Sequence, residues 1–116
     1  MMPLRFDPRL LSCAAALLLA VAHPAVAEDI ITYEVTLNAQ TFTPAEFKVP
    51  ADKPFVIKMK NANVAPAEFE AKDMQVEKVA AGNSEIVVRV KALAPGKYLF
   101  VDEYQEDAAK GYVIVE

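Results

Sequence analysis

Apolar and polar residues alternate along most of the chain after residue 30, and this alternation limits the fold more than any other feature. It is clearest in residues 31–37, 55–60 and 85–90, where every second residue is apolar. A period of two is that of a strand with one buried face. Pro, Gly and Asn separate the runs, at residues 43–44, 50–54, 61–63, 81–83 and 94–96. The sequence therefore predicts an all-β, two-sheet Greek-key sandwich of about seven or eight strands.

The pattern predicts little helical structure. No apolar stripe with a period of about 3.6 residues is present in the alternating region. We expect at most one or two helical turns, near residues 71–74 or 105–110.

The first 27 residues have the organisation of a secretory signal peptide. Arg5 and Arg9 precede an apolar run at residues 10–22, and the small residues 25–27 (Ala-Val-Ala) form a cleavage site. The run is too short for the roughly 20 apolar residues that span a bilayer. We therefore expect cleavage after Ala27, export to the periplasm, and a mature domain of residues 28–116 that is not inserted in the membrane.

The charge of the predicted mature domain disfavours some partners. Removing Arg5, Arg9 and Asp7 with the leader changes the formal net charge from −4 to −5. Nucleic acids and anionic lipids attract basic surfaces. We expect this domain to bind neither.

The mature domain also lacks two reactive residue types. The single cysteine, Cys13, and the single histidine, His23, both lie in the leader. Disulfides, Ser-His-Asp and Cys-His catalysis, structural zinc and blue copper all need residues that the mature chain does not have. No nucleotide-binding or HExxH motif is present either. A ligand must be held by oxygen atoms, methionine sulfur or the backbone, and we do not expect an enzyme.

One concentration of carboxylates lies in a short loop near the C-terminus. Apolar runs at residues 98–101 and 112–115 predict two strands, and the loop between them carries Asp102, Glu103, Glu106 and Asp107. Loops held between rigid strands commonly carry binding groups. This loop is a candidate cation site.

A second concentration is the segment Glu68-Phe69-Glu70. The pleat of a strand would place the two glutamates on one face and Phe69 on the other. Two carboxylates so close repel each other unless a positive charge neutralises them. The alternatives are a cation site and a solvated face paired with Lys58 and Lys60.

The two methionines in the middle of the mature chain differ in context. Met59 continues the core-facing alternation of residues 55–59, which predicts packing. Met74 lies in a polar segment outside any strand pattern, where a thioether could pack or could bind copper.

Several motifs resemble those of a known family. Residues 96–100 (GKYLF) and 111–115 (GYVIV) resemble the last two strands of a cupredoxin. Residues 42–44, 47–51 and 56–61 resemble its opening strands. More narrowly, five segments resemble EfeO-type cupredoxin-like proteins, which are periplasmic components of bacterial iron uptake, including FtrABCD-type ferrous transport. These segments are residues 66–70, 77–79, 93–96, 100–104 and 109–111.

The departures from the blue-copper pattern are also informative. Asp102 stands where such a cupredoxin has its cysteine, and Gln105 and Ala67 stand near the positions of its histidines. The resemblance therefore implies no type-1 copper. It also implies that both acidic segments lie at one end of the sandwich. The candidate metal ligands are Glu68, Glu70, Met74, Asp102, Glu103 and Asp107.

The resemblance implies a periplasmic metal-binding accessory of iron uptake that carries an iron or copper ion. Its expected partners are an inner-membrane iron permease and a periplasmic iron-binding protein. The alternative is a metal-free interaction module whose acidic end docks a basic partner. A short distance between the carboxylates of the two acidic segments would favour a cation, whereas Lys58, Lys60 or Lys110 between them would favour docking.

Overall fold

The computed structural model describes residues 29–116, which form two β-sheets packed face to face. The predicted all-β sandwich is confirmed. The leader and the predicted cleavage site lie outside the described residues. Within residues 29–116 the strands are β1 (Thr32–Asn38), β2 (Thr41–Thr43), β3 (Glu46–Val49), β4 (Phe55–Asn61), β5 (Ala67–Ala71), β6 (Val76–Ala80), β7 (Ser84–Val90), β8 (Gly96–Asp102) and β9 (Lys110–Val115).

The described chain has nine strands, where the sequence predicted seven or eight. The segment from 41 to 49 forms two short strands on different sheets: β2 pairs with β1, and β3 pairs with β9. The apolar period alone does not show this change of sheet.

The helical turns lie close to the predicted places. One 3-10 turn covers Lys72–Met74, as expected, and the other covers Glu103–Gln105. The second begins two residues earlier than predicted because the Asp102 carboxylate caps it by accepting a hydrogen bond from the Tyr104 N–H. In the described part of the chain, no helix is long and apolar enough to cross a membrane.

The order of strands brings the two acidic segments together. The four-stranded sheet has the order β2-β1-β4-β7, and the five-stranded sheet has the order β3-β9-β8-β5-β6. β5 and β8 are therefore antiparallel neighbours, with Phe69 opposite Asp102 and Glu70 opposite Val101. The glutamates of β5 thus lie beside the end of β8, where the acidic loop begins.

An aromatic cluster fills the core behind this junction. Phe42, Phe69 and Phe100 are fully buried, and their ring centroids lie 5.0 Å (Phe42 to Phe100) and 5.3 Å (Phe69 to Phe100) apart. Burying one such ring stabilises the fold by about 2–3 kcal/mol. Gly111 makes room for this packing, because a Cβ atom there would lie 2.2 Å from Cζ of Phe100.

Met59 is also fully buried, as its place in the β4 alternation predicted. Near it, Asn61 fixes the end of the sandwich that holds the acidic segments. The Asn61 side-chain amide donates hydrogen bonds to the carbonyls of Ala65 and Ala81, and its oxygen accepts one from the Asn63 N–H. These bonds satisfy a buried polar group and fix the loop that leads into β5.

Candidate metal centre

Glu68 and Glu70 lie on the outer face of the five-stranded sheet, because the pleat of β5 directs Phe69 between them into the core. Glu68 is half-buried. Glu70 is only 8% exposed. It lies between β6 and β8, and Leu99 and Val101 line a groove beside it. β5 therefore presents two carboxylates on one face, and one of them is largely removed from water.

The third carboxylate comes from the acidic loop. Glu103 is the first residue of the second 3-10 turn, and this turn packs against β5. Glu68, Glu70 and Glu103 each offer one carboxylate oxygen, and these three oxygens lie within 4.8 Å of one another. We call these three residues the glutamate cluster. Its members come from two segments that are distant in sequence, as the resemblance implied.

Two carboxylates of the cluster, those of Glu68 and Glu70, have pKa values above that of an isolated glutamate. A hydrogen bond shared with Glu77 raises the pKa of Glu68 above its ordinary 4.5, and burial and the Glu77 charge add to this, although a hydrogen bond with Glu103 opposes it. A hydrogen bond with Glu103, burial and the Glu103 charge raise the pKa of Glu70. Crowded like charges favour the neutral form.

Lysines do little to neutralise the cluster. The Lys72 ammonium lies 3.6 Å from a Glu70 oxygen and works against the rise in the pKa of Glu70, but its side chain is largely in solvent, where an ion pair is weak. Lys58 lies on the other sheet, with its nitrogen 3.4 Å from a Glu85 oxygen. Lys60 is also on β4. The pairing of Glu68 and Glu70 with Lys58 and Lys60, weighed above as an alternative, is therefore not formed.

The side chain of Asp102 contacts the cluster by accepting hydrogen bonds from backbone N–H groups. It is 1% exposed. Its Oδ1 accepts hydrogen bonds from the Glu68 N–H at 3.0 Å and the Tyr104 N–H at 3.1 Å, and its Oδ2 accepts one from the Gln105 side-chain amide at 2.9 Å. Both oxygens are thus engaged by protein donors.

The other two candidate ligands lie outside the cluster. Met74 is buried in the hydrophobic core. Of the two alternatives for Met74, packing and copper binding, the structure therefore shows packing. Asp107 is exposed and lines a shallow depression with Gln40 and Glu103. The structure brings together Glu68, Glu70 and Glu103 of the six candidates.

Two residues that adjoin the cluster, Glu77 and Tyr104, are not among the six candidates predicted from the sequence. Glu77 lies opposite Glu70 in the β5–β6 pairing. Tyr104 lies near Glu68, and partial desolvation and the Glu68 charge raise the pKa of its hydroxyl. Reading residues 67–80 as a hairpin would have aligned Glu77 with Glu70, but the sequence offers no comparable signal for Tyr104.

Comparison with known proteins agrees with this architecture. The family model of the cupredoxin-like domain matches residues 11–115. The chain belongs to the cupredoxin-like domain family. This cupredoxin-like domain is also 28% identical, over 88 residues, to an uncharacterized protein, RP394, of Rickettsia prowazekii (strain Madrid E); the match covers 76% of this chain and 70% of the relative.

Solved structures resemble the cupredoxin-like domain in fold. The metal-binding domain of the Cu(I)-exporting P-type ATPase CopA of Streptococcus pneumoniae D39, solved with Cu(I), has a TM-score of 0.68 at 17% identity, covering 78% of this chain and 90% of that one. Auracyanin A, a "blue" copper protein of Chloroflexus aurantiacus, has a TM-score of 0.64 at 16% identity, covering 76% of this chain and 100% of that one. At these identities the likeness is one of fold.

The residues of this cupredoxin-like domain do not fit a blue-copper centre. Residues 29–116 contain neither cysteine nor histidine, so they supply no thiolate or imidazole. The glutamate cluster offers carboxylate oxygens instead, which are ligands for hard and borderline cations. Chemically, it can hold one such cation between β5 and the acidic loop.

Proposed function

We propose that this cupredoxin-like protein binds an iron or copper ion on Glu68, Glu70 and Glu103, and serves as a periplasmic accessory of a bacterial iron-uptake system. The observation that carries the proposal is the approach of three carboxylate oxygens to within 4.8 Å, with Glu70 largely buried. Three carboxylates this close repel one another in the absence of an ion, and a bound cation would turn that repulsion into attraction. A blue-copper electron carrier would need the residues that the domain lacks.

The ligand set indicates which ions suit the site. Carboxylate oxygens favour iron, manganese and Cu(II), whereas Cu(I) prefers thiolate and thioether ligands. Met59 and Met74, the two methionines of the described chain, are both buried in the core. Among divalent ions at one site, Cu(II) binds more tightly than Fe(II). The resemblance of residues 66–70, 100–104 and 109–111 to iron-uptake proteins supports iron as the ion that is handled, passed between a periplasmic iron-binding protein and an inner-membrane permease.

Thermal denaturation of the mature protein tests the proposal. An ion that binds only the folded state stabilises it by about 2.7 kcal/mol at a hundredfold excess over Kd, which raises the Tm of a domain of this size by several degrees. Cu(II), Mn(II) and anaerobic Fe(II) are titrated separately against wild type, Glu70→Gln and Glu103→Gln. We expect the wild type to respond and both variants to lose most of the response.

Two controls make the test specific. Mg(II) reports nonspecific screening of the acidic end. Glu46→Gln makes the same substitution at an exposed position on β3, which β9 and β8 separate from β5 in the same sheet, and it should respond like wild type. Transition metals that raise Tm no more than Mg(II) does would refute metal binding.

The alternative function is a metal-free module that docks a basic partner. Two exposed apolar side chains favour it: Tyr104, which lies near Glu68, and Val79, which is opposite Glu68 across β5 and β6. A cluster of acids beside apolar side chains suits a lysine-rich surface. Under this alternative, a lysine-rich peptide binds in a salt-dependent way that Glu70→Gln weakens, and transition metals act no differently from Mg(II).

A further inference from the structure

The buried Asp102 carboxylate connects the two segments that supply the glutamate cluster. One oxygen, Oδ1, accepts hydrogen bonds from the Glu68 N–H on β5 and from the Tyr104 N–H, which directly follows Glu103. The other oxygen is held by the Gln105 side chain. A single atom therefore fixes the backbone next to two of the three cluster residues.

This connection replaces strand pairing at the place where pairing stops. β5 and β8 pair at Phe69 with Asp102 and at Glu70 with Val101, and their register ends there. The N–H of Glu68, the residue before Phe69 on β5, donates instead to the Asp102 side chain. Without this bond, only side-chain contacts would hold the 3-10 turn against Glu68, while the carboxylates of Glu68 and Glu103 repel each other.

We infer that Asp102 is a positioning residue of the glutamate cluster and not a ligand of the ion. This inference rests on the proposed function. Turning the Asp102 carboxylate toward an ion would leave the partly buried Glu68 and Tyr104 N–H groups without their acceptor, which costs free energy. In its present position, the Asp102 carboxylate keeps Glu68 and Glu103 close together before an ion binds. Hydrogen bonds commonly support metal ligands in this way.

Two substitutions at Asp102 separate the roles. Asp102→Asn keeps the oxygen that accepts from Glu68 and Tyr104, and the Gln105 amide can rotate so that its own oxygen accepts from the new NH₂ group. Asp102→Ala removes every one of these bonds. If Asp102 positions the cluster, Asp102→Asn binds Mn(II) within about threefold of wild type, and Asp102→Ala binds it about tenfold or more weakly.

The opposite pattern would refute the inference. A ligand loses its charge in both variants, so Asp102→Asn would then weaken Mn(II) binding as strongly as Glu70→Gln does. Unchanged Mn(II) affinity in Asp102→Ala would equally overturn the positioning role. The matched control is Asp52→Asn, which removes one charge in the turn between β3 and β4. Asp52 has a positive φ of 60°, a conformation that asparagine tolerates well.

A measurement without metal keeps this inference distinct from the proposed function. Amide hydrogen exchange in metal-free protein should show the Glu68 and Tyr104 amides of Asp102→Ala exchanging about fivefold or more faster than in wild type. The amides of Ile57 and Val88, in the other sheet, should not change; uniform acceleration would indicate global destabilisation and refute a local role. If wild type binds none of the ions, the proposed function fails, and selective acceleration at Glu68 and Tyr104 still decides whether Asp102 joins the two segments.

Discussion

Glu70 on β5 and Glu77 on β6 lie directly opposite each other in an antiparallel pair. Like charges in this arrangement destabilise a sheet. Glu77 also gives the largest contribution to the raised pKa of Glu68. The metal-free domain therefore contains an electrostatic conflict on the outer face of β5 and β6, and a cation at the glutamate cluster would relieve it.

Glu70→Gln should stabilise the metal-free protein at neutral pH and remove most of its stabilisation by metal. The substitution keeps the shape of the side chain and removes a charge that repels Glu77 and Glu103. Thermal denaturation in EDTA and then with Mn(II) measures both effects, and Glu46→Gln should show neither. A lower Tm in EDTA would mean that the Glu70 charge stabilises the fold, contrary to this prediction.

The stability of the metal-free protein should depend on pH through Glu68 and Glu70. The pKa of each is raised above 4.5 in the folded protein, so protonation favours folding. This contribution is complete below pH 4.5 and is lost as pH rises through the raised pKa values. The Tm of wild type, relative to a Glu68→Gln/Glu70→Gln double variant, should therefore fall as pH increases from 4.5 to 8. A difference that is constant across this range would contradict the raised pKa values.

Copper should bind in the oxidised state. With carboxylate ligands, Cu(II) should give only weak absorption, without the intense band of a thiolate–copper bond. Reduction should release the ion to a Cu(I) chelator, because the cluster offers no soft ligand. Visible spectroscopy before and after addition of ascorbate measures both. Retention of Cu(I) against the chelator would show that the ligand set differs from the one proposed.

Gly111→Ala should destabilise the fold by about 1–3 kcal/mol through overpacking. The new Cβ would lie 2.2 Å from Cζ of Phe100 and 2.9 Å from the Ala45 carbonyl oxygen, so a buried ring or the backbone must move. At Gly96 the nearest atom, Cε2 of the half-buried Tyr98 ring, would be 3.4 Å away. Gly96→Ala should thus be close to neutral in the same urea denaturation experiment, and equal effects at the two sites would contradict the packing argument.

Much of the fold and the candidate members of the cluster followed from local sequence. A strand with one buried face imposes a period of two on its own residues. The alternation in β1, β4 and β7 therefore identified strands and placed Met59 in the core, and the same period set Glu68 and Glu70 of β5 on one face. The glycines and apolar runs of β8 and β9 enclosed the acidic loop that supplies Glu103. The predicted export of the domain depends on the leader and stays a prediction.

Tertiary structure decided the rest, because it depends on how distant segments meet. The register of β5 and β6 placed Glu77 opposite Glu70, and the packing of the 3-10 turn on β5 brought Glu103 and Tyr104 to Glu68. Asp102 and Glu103 carry the same functional group, but the Asp102 carboxylate is buried and accepts hydrogen bonds from two backbone N–H groups, whereas Glu103 is exposed. The sequence determined which residues could bind a cation; the pairing of β5 with β8 determined which carboxylates remain available to do so.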